Sequence, residues 1–331
     1  MKDDIFPGDM DYYEARYGAD EAPVRQGRRK QSRRTQRADV HALAEPGGLE
    51  GGFTPTYQPS RFEEGWLLES LRSFYDDHLI SDVLMHIKGG KEASVYCCAA
   101  GTGSGPSLLA AKVYRPRQFR NLRNDALYRA DRAMLSGSGQ AIRPTDRRLM
   151  RAINQKTSLG MQITHVSWLM HEYTALERLA QLGAAVPAPV AANENALLMS
   201  YIGDEHMAAP TLNGVRLPRQ EAERLFLDVL HTITLLLQQG LIHGDLSAYN
   251  ILYWEGRITL IDLPQVTFSE SNQHAYTILL RDVTRVCDYF AQQGVRSQPA
   301  AIARDLWARY AAEGATDRSG DSASQSDMLA R

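Results

Sequence analysis

The strongest chemical signal in the sequence is a polar turn that follows a short apolar stretch. His243 and Asp245 lie in this turn, and Asn250 follows the aspartate five residues later. Transfer of a phosphoryl group needs a carboxylate that orients the attacking hydroxyl, and an amide oxygen nearby that can bind a metal ion. The turn supplies both groups at the spacing of a phosphotransferase catalytic loop. Taken alone, the same pattern also fits a polar turn between two buried strands.

A second carboxylate strengthens the phosphotransferase interpretation. Asp262 follows the apolar residues Leu260 and Ile261 and ends a predicted strand. An aspartate in this place is often only a turn former, so Asp262 alone is a weak signal. Beside Asn250 it becomes a candidate ligand for a divalent ion that neutralises the β- and γ-phosphates of a nucleotide.

The N-terminal half of the chain contributes candidate phosphate-binding residues. Lys112 lies in an apolar strand, where a buried ammonium needs a partner. Glu172, in a predicted helix, is the natural pairing carboxylate, although without the lysine it would be assigned to a solvent-facing surface. Residues 89–96 occupy the position of a phosphate-binding loop, with Lys91 and the Ser94 hydroxyl as candidate contacts.

Apolar periodicity indicates which elements position these residues. Helical spacing predicts helices within residues 66–78, 167–182, 225–237 and 276–290. Short apolar runs predict strands over 94–99, 108–114, 196–201, 251–253 and 258–261. Strands followed by helices predict an α+β fold with two lobes: a β-rich N-lobe over 62–203, with a flexible insert at about 115–164, and a mainly helical C-lobe over 204–314.

Composition and charge limit the remaining functions. Hydrophobic residues make up 44% of the 331-residue chain and charged residues 23%, as in an ordinary globular protein. The three cysteines offer no disulfide framework, and no apolar run is long enough for a membrane span, so we expect a cytoplasmic protein with no membrane partner. Low apolar content predicts disorder over 1–61 and 315–331. The first of these segments carries a basic arm over 25–37.

The motifs together resemble the RIO family of atypical serine/threonine kinases, in its type-1-like branch without a winged-helix domain. The resemblance runs from about Phe62 to Tyr310. It rests on five segments of this sequence: 90–96, 112–114, 199–203, 243–252 and the region from Ile261 through Val266 to the 280–283 helix. Gly244 departs from the pattern, because many family members carry alanine there. His-Gly-Asp is also common in small-molecule kinases of the aminoglycoside and choline type.

The resemblance implies a protein-kinase-like fold without an activation segment, and ATP with Mg²⁺ or Mn²⁺ as cofactors. It implies that Asp245 is the catalytic base, that Lys112 grips the α- and β-phosphates, and that Asn250 and Asp262 are metal ligands. The counterpart of Asp262 in the family can itself accept a phosphoryl group. The backbone from Ser200 to Ile202 would hold the adenine.

Three functions follow from these patterns. The first is a serine/threonine kinase or ATPase of the RIO type, acting on an unknown protein substrate, with a role in ribosome maturation. The second is a small-molecule phosphotransferase on the same scaffold, which the 90–96 loop and the lack of a substrate-recognition insert disfavour. The third is a module that uses ATP to switch its binding to RNA or a ribosomal particle. A pseudokinase is disfavoured because Lys112, Asp245, Asn250 and Asp262 are all present.

Deleting residues 1–40 should weaken binding to RNA or ribosomal particles while leaving ATP turnover near the parent level. Seven basic side chains within the arm can displace counterions from a phosphate backbone, and that contribution should fade steeply with added salt. Filter binding at two salt concentrations, with and without the arm, measures it. Equal affinity of the two proteins would make the arm a solubilising tail.

Overall fold

The structure, a computed structural model, describes most of the chain from residue 53 onward. The described ranges are 53–90, 93–102, 105–115, 134–137, 139–142, 145–155, 157–263, 266–269 and 272–312. These residues form two compact units. The first comprises 53–115, 134–173 and 189–201, and the second comprises 174–188 and 202–312. Lys91, the basic arm, the tail over 315–331 and much of the predicted insert lie outside the described residues.

The first unit is built on a five-stranded antiparallel sheet in the order β1-β2-β3-β5-β4. Its strands are β1 (Ile80–Gly89), β2 (Ala93–Ala100), β3 (Leu108–Tyr114), β4 (Pro189–Ala192) and β5 (Ala196–Ser200). Its helices are α1 (Arg61–Asp76), α2 (Arg147–Asn154) and the first part of α3 (Ser158–Gln181). The antiparallel sheet agrees with the predicted β-rich N-terminal part of an α+β fold.

Alternation along β3 separates the core from the candidate site. Leu109, Ala111 and Val113 are buried in one cluster with apolar residues of α1, so this face of the strand forms the hydrophobic core. Successive side chains of a strand point to opposite faces. Lys112 and Tyr114 therefore share the other face, away from the α1 core.

The start of α1 is fixed by a capping box. The side chain of Ser60 caps the backbone of Glu63, and the Glu63 carboxylate accepts a hydrogen bond from the Ser60 N–H. The same carboxylate accepts hydrogen bonds from the hydroxyls of Tyr57 and Tyr96. Phe53 is also buried in this cluster. The packed part of the first unit thus extends nine residues ahead of residue 62, where the sequence placed the start of the N-lobe.

The second unit is mainly helical. Its helices are α4 (Arg219–Gln238), α5 (Ala275–Gln292) and a helical segment over 299–312. Its strands are β6 (Leu241–Ile242), β7 (Ile251–Trp254), β8 (Arg257–Leu260) and β9 (Thr267–Phe268), and they pair as β6 with β9 and β7 with β8. The buried stripes of α4 and α5 meet where Phe226 packs against Phe290, with ring centroids 5.2 Å apart.

A tight hairpin joins β7 to β8. Trp254 pairs with Arg257, so Glu255 and Gly256 form a two-residue loop. Both loop residues have positive φ, 47° and 74° respectively, as a type I′ turn requires. The strands predicted over 251–253 and 258–261 are therefore present as β7 and β8, and this turn pairs them antiparallel.

Most predicted elements are present, but strands β1, β4 and β9 were missed and helix α3 is longer than expected. β1 did not stand out because only Ile80 and Val83 of its ten residues are buried and its pairing with β2 is irregular. α3 begins at Ser158 rather than near 167. A Cβ on Gly160 would lie 2.0 Å from the Ala152 carbonyl oxygen, so this glycine allows α3 to begin against α2.

The cysteines behave as small core residues. Cys98 belongs to the α1 core, whereas the adjacent Cys97 points to the other face of β2, as their alternation predicts. Burial raises the pKa of the Cys97 thiol to about 11 and also raises the pKa of Cys98. Both thiols therefore stay protonated at neutral pH. Among the helices of the described residues, none is long and apolar enough to span a membrane.

Candidate active site

In the first unit, the predicted lysine–glutamate pair is present and buried. Lys112 Nζ lies 2.7 Å from Glu172 Oε1, and the Glu172 side chain is only 2% exposed. A buried charge is tolerated when it is paired and hydrogen-bonded, which this contact provides. An ammonium has three N–H donors, and Glu172 accepts one of them. The pair holds Lys112 at a fixed position on the β3 face opposite the α1 core.

Tyr114 completes this cluster, although the sequence assigned it no role. Its hydroxyl donates a hydrogen bond to Glu172 Oε2, so both carboxylate oxygens are engaged. Lys112 Nζ lies 5.3 Å from the centroid of the Tyr114 ring, within range of a cation–π contact. Trp168 of α3 packs edge-on against the same ring. These contacts restrict the rotamers of both the lysine and the glutamate.

Ser94 does not share the face of Lys112. In the register of β2 and β3, Lys112 pairs with Val95, whereas Ser94 pairs with Val113 of the α1 core. Paired residues of adjacent strands lie on the same face. Ser94 is also 1% exposed. Its hydroxyl is therefore left out of the proposed phosphate contacts.

The predicted adenine-binding segment begins where β5 ends. Ser200 is the last residue of β5 and pairs with Leu109 of β3. Ile202 is the first residue of the second unit after β5, and its carbonyl accepts a hydrogen bond from the Ala209 N–H at 2.9 Å. The Ile202 N–H group and the second lone pair of this carbonyl oxygen are the backbone groups that could contact adenine.

In the second unit, His243 ties the catalytic loop to the end of β8. Its Nε2 lies 3.1 Å from the Ile261 carbonyl oxygen, and its Nδ1 accepts a long hydrogen bond, 3.4 Å, from the Asp245 N–H. The tautomer with its proton on Nε2 satisfies both contacts. The ring is 2% exposed. His243 thus fixes the backbone of Asp245 relative to the residue before Asp262.

Side chains of helix α5 hydrogen-bond to both backbone polar groups of Gly244. Its N–H donates to Asp282 Oδ2 at 2.8 Å, and its carbonyl accepts a hydrogen bond from Arg281 Nη2. The φ of Gly244 is 86°, in the region that favours glycine over alanine. The glycine that departs from the family pattern therefore matches the backbone conformation of this turn.

The hairpin brings Asn250 and Asp262 to the same end of β7 and β8. Asn250 immediately precedes β7, and its carbonyl accepts a hydrogen bond from the Ile261 N–H at 2.9 Å. The Asn250 amide nitrogen donates to the Asp245 carbonyl at 2.9 Å, which leaves the amide oxygen as its metal-binding atom. Asp262 is exposed and has a φ of 69°, an uncommon conformation that aspartate tolerates better than most residues.

The oxygen donors of Asn250 and Asp262 could hold a divalent ion such as Mg²⁺, which takes the rest of its ligands from water and substrate. Within the described ranges there is no group of three or more histidine, cysteine, aspartate or glutamate residues that could hold a metal ion. Mg²⁺ commonly takes one or two carboxylates and completes its shell with water and substrate phosphates. One carboxylate from Asp262 and one amide oxygen from Asn250 match that mode of binding.

The carboxylate of Asp245 has a partner that the sequence did not indicate. Arg285 of α5 donates from Nη1 to Asp245 Oδ1 at 2.7 Å. Both side chains are accessible to solvent, 41% exposed for the arginine and 44% for the aspartate. Arg281 and Asp282 lay in a segment that carried the family resemblance. The spacing of Arg281 and Arg285, four residues apart on a helix, was the available signal for a shared face.

Comparison with known proteins finds one domain match and several relatives. Residues 140–302 match the RIO domain. The serine/threonine-protein kinase RIO1 of Chaetomium thermophilum is 31% identical over 229 residues, and the RIO-type serine/threonine-protein kinase Rio1 of Haloferax volcanii is 31% identical over 217 residues. Over these residues the chain is similar to the RIO family. Human serine/threonine-protein kinase RIO3 is 32% identical over 130 residues, so the matching relatives include proteins named RIO1 and proteins named RIO3.

The alignments cover only part of each RIO relative. They span 66% of this chain and 41% of the Chaetomium protein, and 63% of both this chain and the Haloferax protein. The human RIO3 alignment spans 39% of this chain and 25% of that protein. The solved structure of the Cydia pomonella granulovirus kinase PK-1 covers 60% of this chain, and 58% of its own chain, at 13% identity and a TM-score of 0.36, too low to bear on the fold.

Asp282 should make the stability of this protein depend on pH. Burial raises the pKa of its carboxyl, although His243, the Gly244 N–H and two arginines oppose the shift. The folded protein therefore keeps this proton to higher pH than the unfolded chain does, and the stabilisation is lost as pH rises from about 4 through the raised pKa. Asp282→Asn should remove that fall in the free energy of unfolding, measured by denaturant titration across pH.

Two further variants complete this test. Asp282→Ala should also lose the pH dependence and should cost about 1–3 kcal/mol at low pH, because it leaves the buried Gly244 N–H without its acceptor. Asp288→Asn, an exposed carboxylate of the same helix, is the matched control and should follow the parent profile. Identical pH profiles for the parent and Asp282→Asn would contradict the assignment.

Proposed function

We propose that this protein is an ATP- and Mg²⁺-dependent serine/threonine kinase that transfers the γ-phosphoryl group to a hydroxyl, with self-phosphorylation or ATP hydrolysis as accompanying activity. The observation that carries the proposal is the arrangement of one loop and one hairpin in the second unit. Asp245, Asn250 and Asp262 are linked there through His243 and the Ile261 backbone. Similarity to relatives that are named serine/threonine-protein kinases supports it.

Asp245 would act on the attacking hydroxyl. Its backbone is fixed by His243, while its side chain remains accessible to solvent, as a group that must meet an acceptor requires. One carboxylate oxygen would accept the hydrogen bond of the acceptor hydroxyl and take its proton as the new P–O bond forms. The aspartate thus orients the nucleophile and receives its proton.

Lys112 and the metal ligands would hold the nucleotide phosphates. Lys112, fixed by Glu172 and Tyr114, offers a cation to the α- and β-phosphates. Asn250 and Asp262 would bind Mg²⁺, which supplies charge neutralisation at the β- and γ-phosphates. The backbone of Ser200 and Ile202 would bind adenine. Each of these roles depends on a side chain or backbone group with a defined position in its own unit.

The substrate is proposed to be a protein rather than a small molecule. The relatives that match this chain are named as protein kinases, whereas the His-Gly-Asp tripeptide alone would fit either class. A role on ribosomal particles, reached through the basic arm over 25–37, is the further proposal that the deletion of residues 1–40 tests. The arm would add affinity and not chemistry.

Asp245→Ala should lower the turnover of γ-labelled ATP by about 10²–10⁴-fold, the usual contribution of a positioned general base. The variant should bind ATP with near-parent affinity, because Lys112, the metal and the adenine contacts hold the nucleotide. The measurement scores released phosphate and protein-bound label together, alone and with cell extract.

The matched control is Asp228→Ala, which removes a solvent-accessible carboxylate of the same unit that pairs with Arg224 on its own helix. Its side chain is 47% exposed, close to the 44% of Asp245. Asp228→Ala should turn over ATP like the parent. Near-parent turnover by Asp245→Ala would disprove the proposed role, and a parent protein without any phosphoryl transfer would disprove the proposed function.

A further inference from the structure

The catalytic loop itself contains no cation. Between Asp245 and Asn250 the sequence runs Leu246, Ser247, Ala248 and Tyr249. Phosphoryl transfer gathers negative charge on the oxygens of the transferring group, and catalysis depends on cations or N–H donors fixed at that point. A positive side chain from another element could supply what the loop lacks.

Helix α5 presents two arginines to this loop, but they contact different groups. Arg281 hydrogen-bonds to the carbonyl of Gly244 and lies 3.5 Å from Asp282, so its contacts hold the backbone of the turn. Arg285, one helical turn further on, contacts the Asp245 carboxylate at 2.7 Å. Of the two, Arg285 is therefore the arginine that touches a group proposed to react.

In this contact Arg285 and Asp245 each use one atom, so each has further groups that could bind a substrate. Arg285 uses Nη1 on Oδ1 of Asp245, and a guanidinium has five N–H donors in a planar fork that suits phosphate oxygens. The second oxygen of Asp245 can still accept the hydroxyl of an acceptor. A hydroxyl bound there at about 2.7 Å would lie beside the guanidinium, next to the phosphorus that it attacks.

The Arg285–Asp245 ion pair contributes too little to folding stability to explain its position. With side chains 41% and 44% exposed, an ion pair of this kind contributes about 0–1 kcal/mol to folding. An arginine that is accessible, oriented by a charge-assisted hydrogen bond and adjacent to the catalytic carboxylate is instead suited to meet an anionic group that arrives with the substrate.

We propose that Arg285 is a catalytic residue, a guanidinium supplied by α5 that binds the oxygens of the transferring phosphoryl group while Asp245 holds the acceptor hydroxyl. The inference rests on the proposed kinase function. In the step, the bond from the γ-phosphorus to the β,γ-bridging oxygen breaks and ADP leaves with its electron pair. The acceptor oxygen forms the new bond to phosphorus, and its proton passes to Asp245. Arg285 forms no covalent bond and stabilises the charge on the non-bridging oxygens.

The test compares the parent with Arg285→Gln and Arg285→Lys. Arg285→Gln should lower kcat for total phosphoryl transfer from γ-labelled ATP by about 10²–10³-fold, the usual loss for one such donor, with KM for ATP changed less than about threefold. Arg285→Lys should lie between the two, because it keeps the charge and loses the fork. Arg219→Gln, which removes an exposed arginine paired with Glu223 on α4, is the matched control and should match the parent.

A second measurement separates contact with the phosphoryl group from a structural role. The dissociation constant of MgADP is measured with and without aluminium fluoride, which mimics the transferring group. Fluoride should tighten ADP binding in the parent, and Arg285→Gln should lose most of that gain while binding ADP alone normally. A structural role would instead weaken ADP alone and lower the unfolding temperature.

Three results would overturn the inference. Arg285→Gln could turn over ATP like the parent, it could keep the full effect of aluminium fluoride, or it could raise KM for the acceptor alone. In each case an active parent would leave the proposed kinase function standing. A parent that shows neither turnover nor a fluoride effect would remove the proposed function and, with it, this inference.

Discussion

The register of one hairpin is the constraint on which the candidate site depends. Asn250 and Asp262 are twelve positions apart in the chain, and only the tight turn at Glu255 and Gly256 returns the second to the level of the first. A slip of one residue would invert the faces of every side chain in the pair of strands. The positive φ values of both loop residues fix the turn type and therefore the register.

The catalytic loop is then joined to this hairpin by backbone contacts and not by its reacting side chains. His243 connects the Asp245 N–H to the Ile261 carbonyl. Side chains of α5 hydrogen-bond to both the N–H and the carbonyl of Gly244. Such an arrangement fixes the position of Asp245 while leaving its carboxylate exposed. It has a cost, because Asp282 must be buried to reach the Gly244 N–H, and burial raises the pKa of its carboxyl.

Sequence reasoning succeeded where a residue type conflicted with its surroundings. A lysine within an apolar strand requires a partner, which is why Lys112 pointed to Glu172, and the structure confirms that pair. Gly256 likewise indicates a turn between the two predicted strands, because glycine adopts a positive φ without steric cost. The reasoning failed for β1, whose half-exposed residues show no regular alternation along the strand.

Other features depend on tertiary contacts that no local pattern reveals. The Ser94 hydroxyl was assigned to phosphate from its place in a loop motif, but its side chain lies on the α1 face. Arg285 lies 40 residues beyond Asp245, and helical spacing alone does not say which face of α5 meets the catalytic loop. The roles assigned to Asp245, Asn250 and Asp262 stay predictions about chemistry, although their relative placement is now defined.

The binding of ATP with and without Mg²⁺, in the parent and in Asp262→Ala and Asn250→Ala, tests most directly whether the hairpin builds a metal site. Mg²⁺ should tighten ATP binding in the parent. Asp262→Ala should reduce that gain by at least about tenfold, since even outer-shell partners of metal ligands are worth 10–100-fold in metal affinity. Asn250→Ala should have a smaller effect, because it removes no formal charge from the ion's shell. Parent affinity for ATP that does not depend on Mg²⁺ or Mn²⁺ would contradict the account.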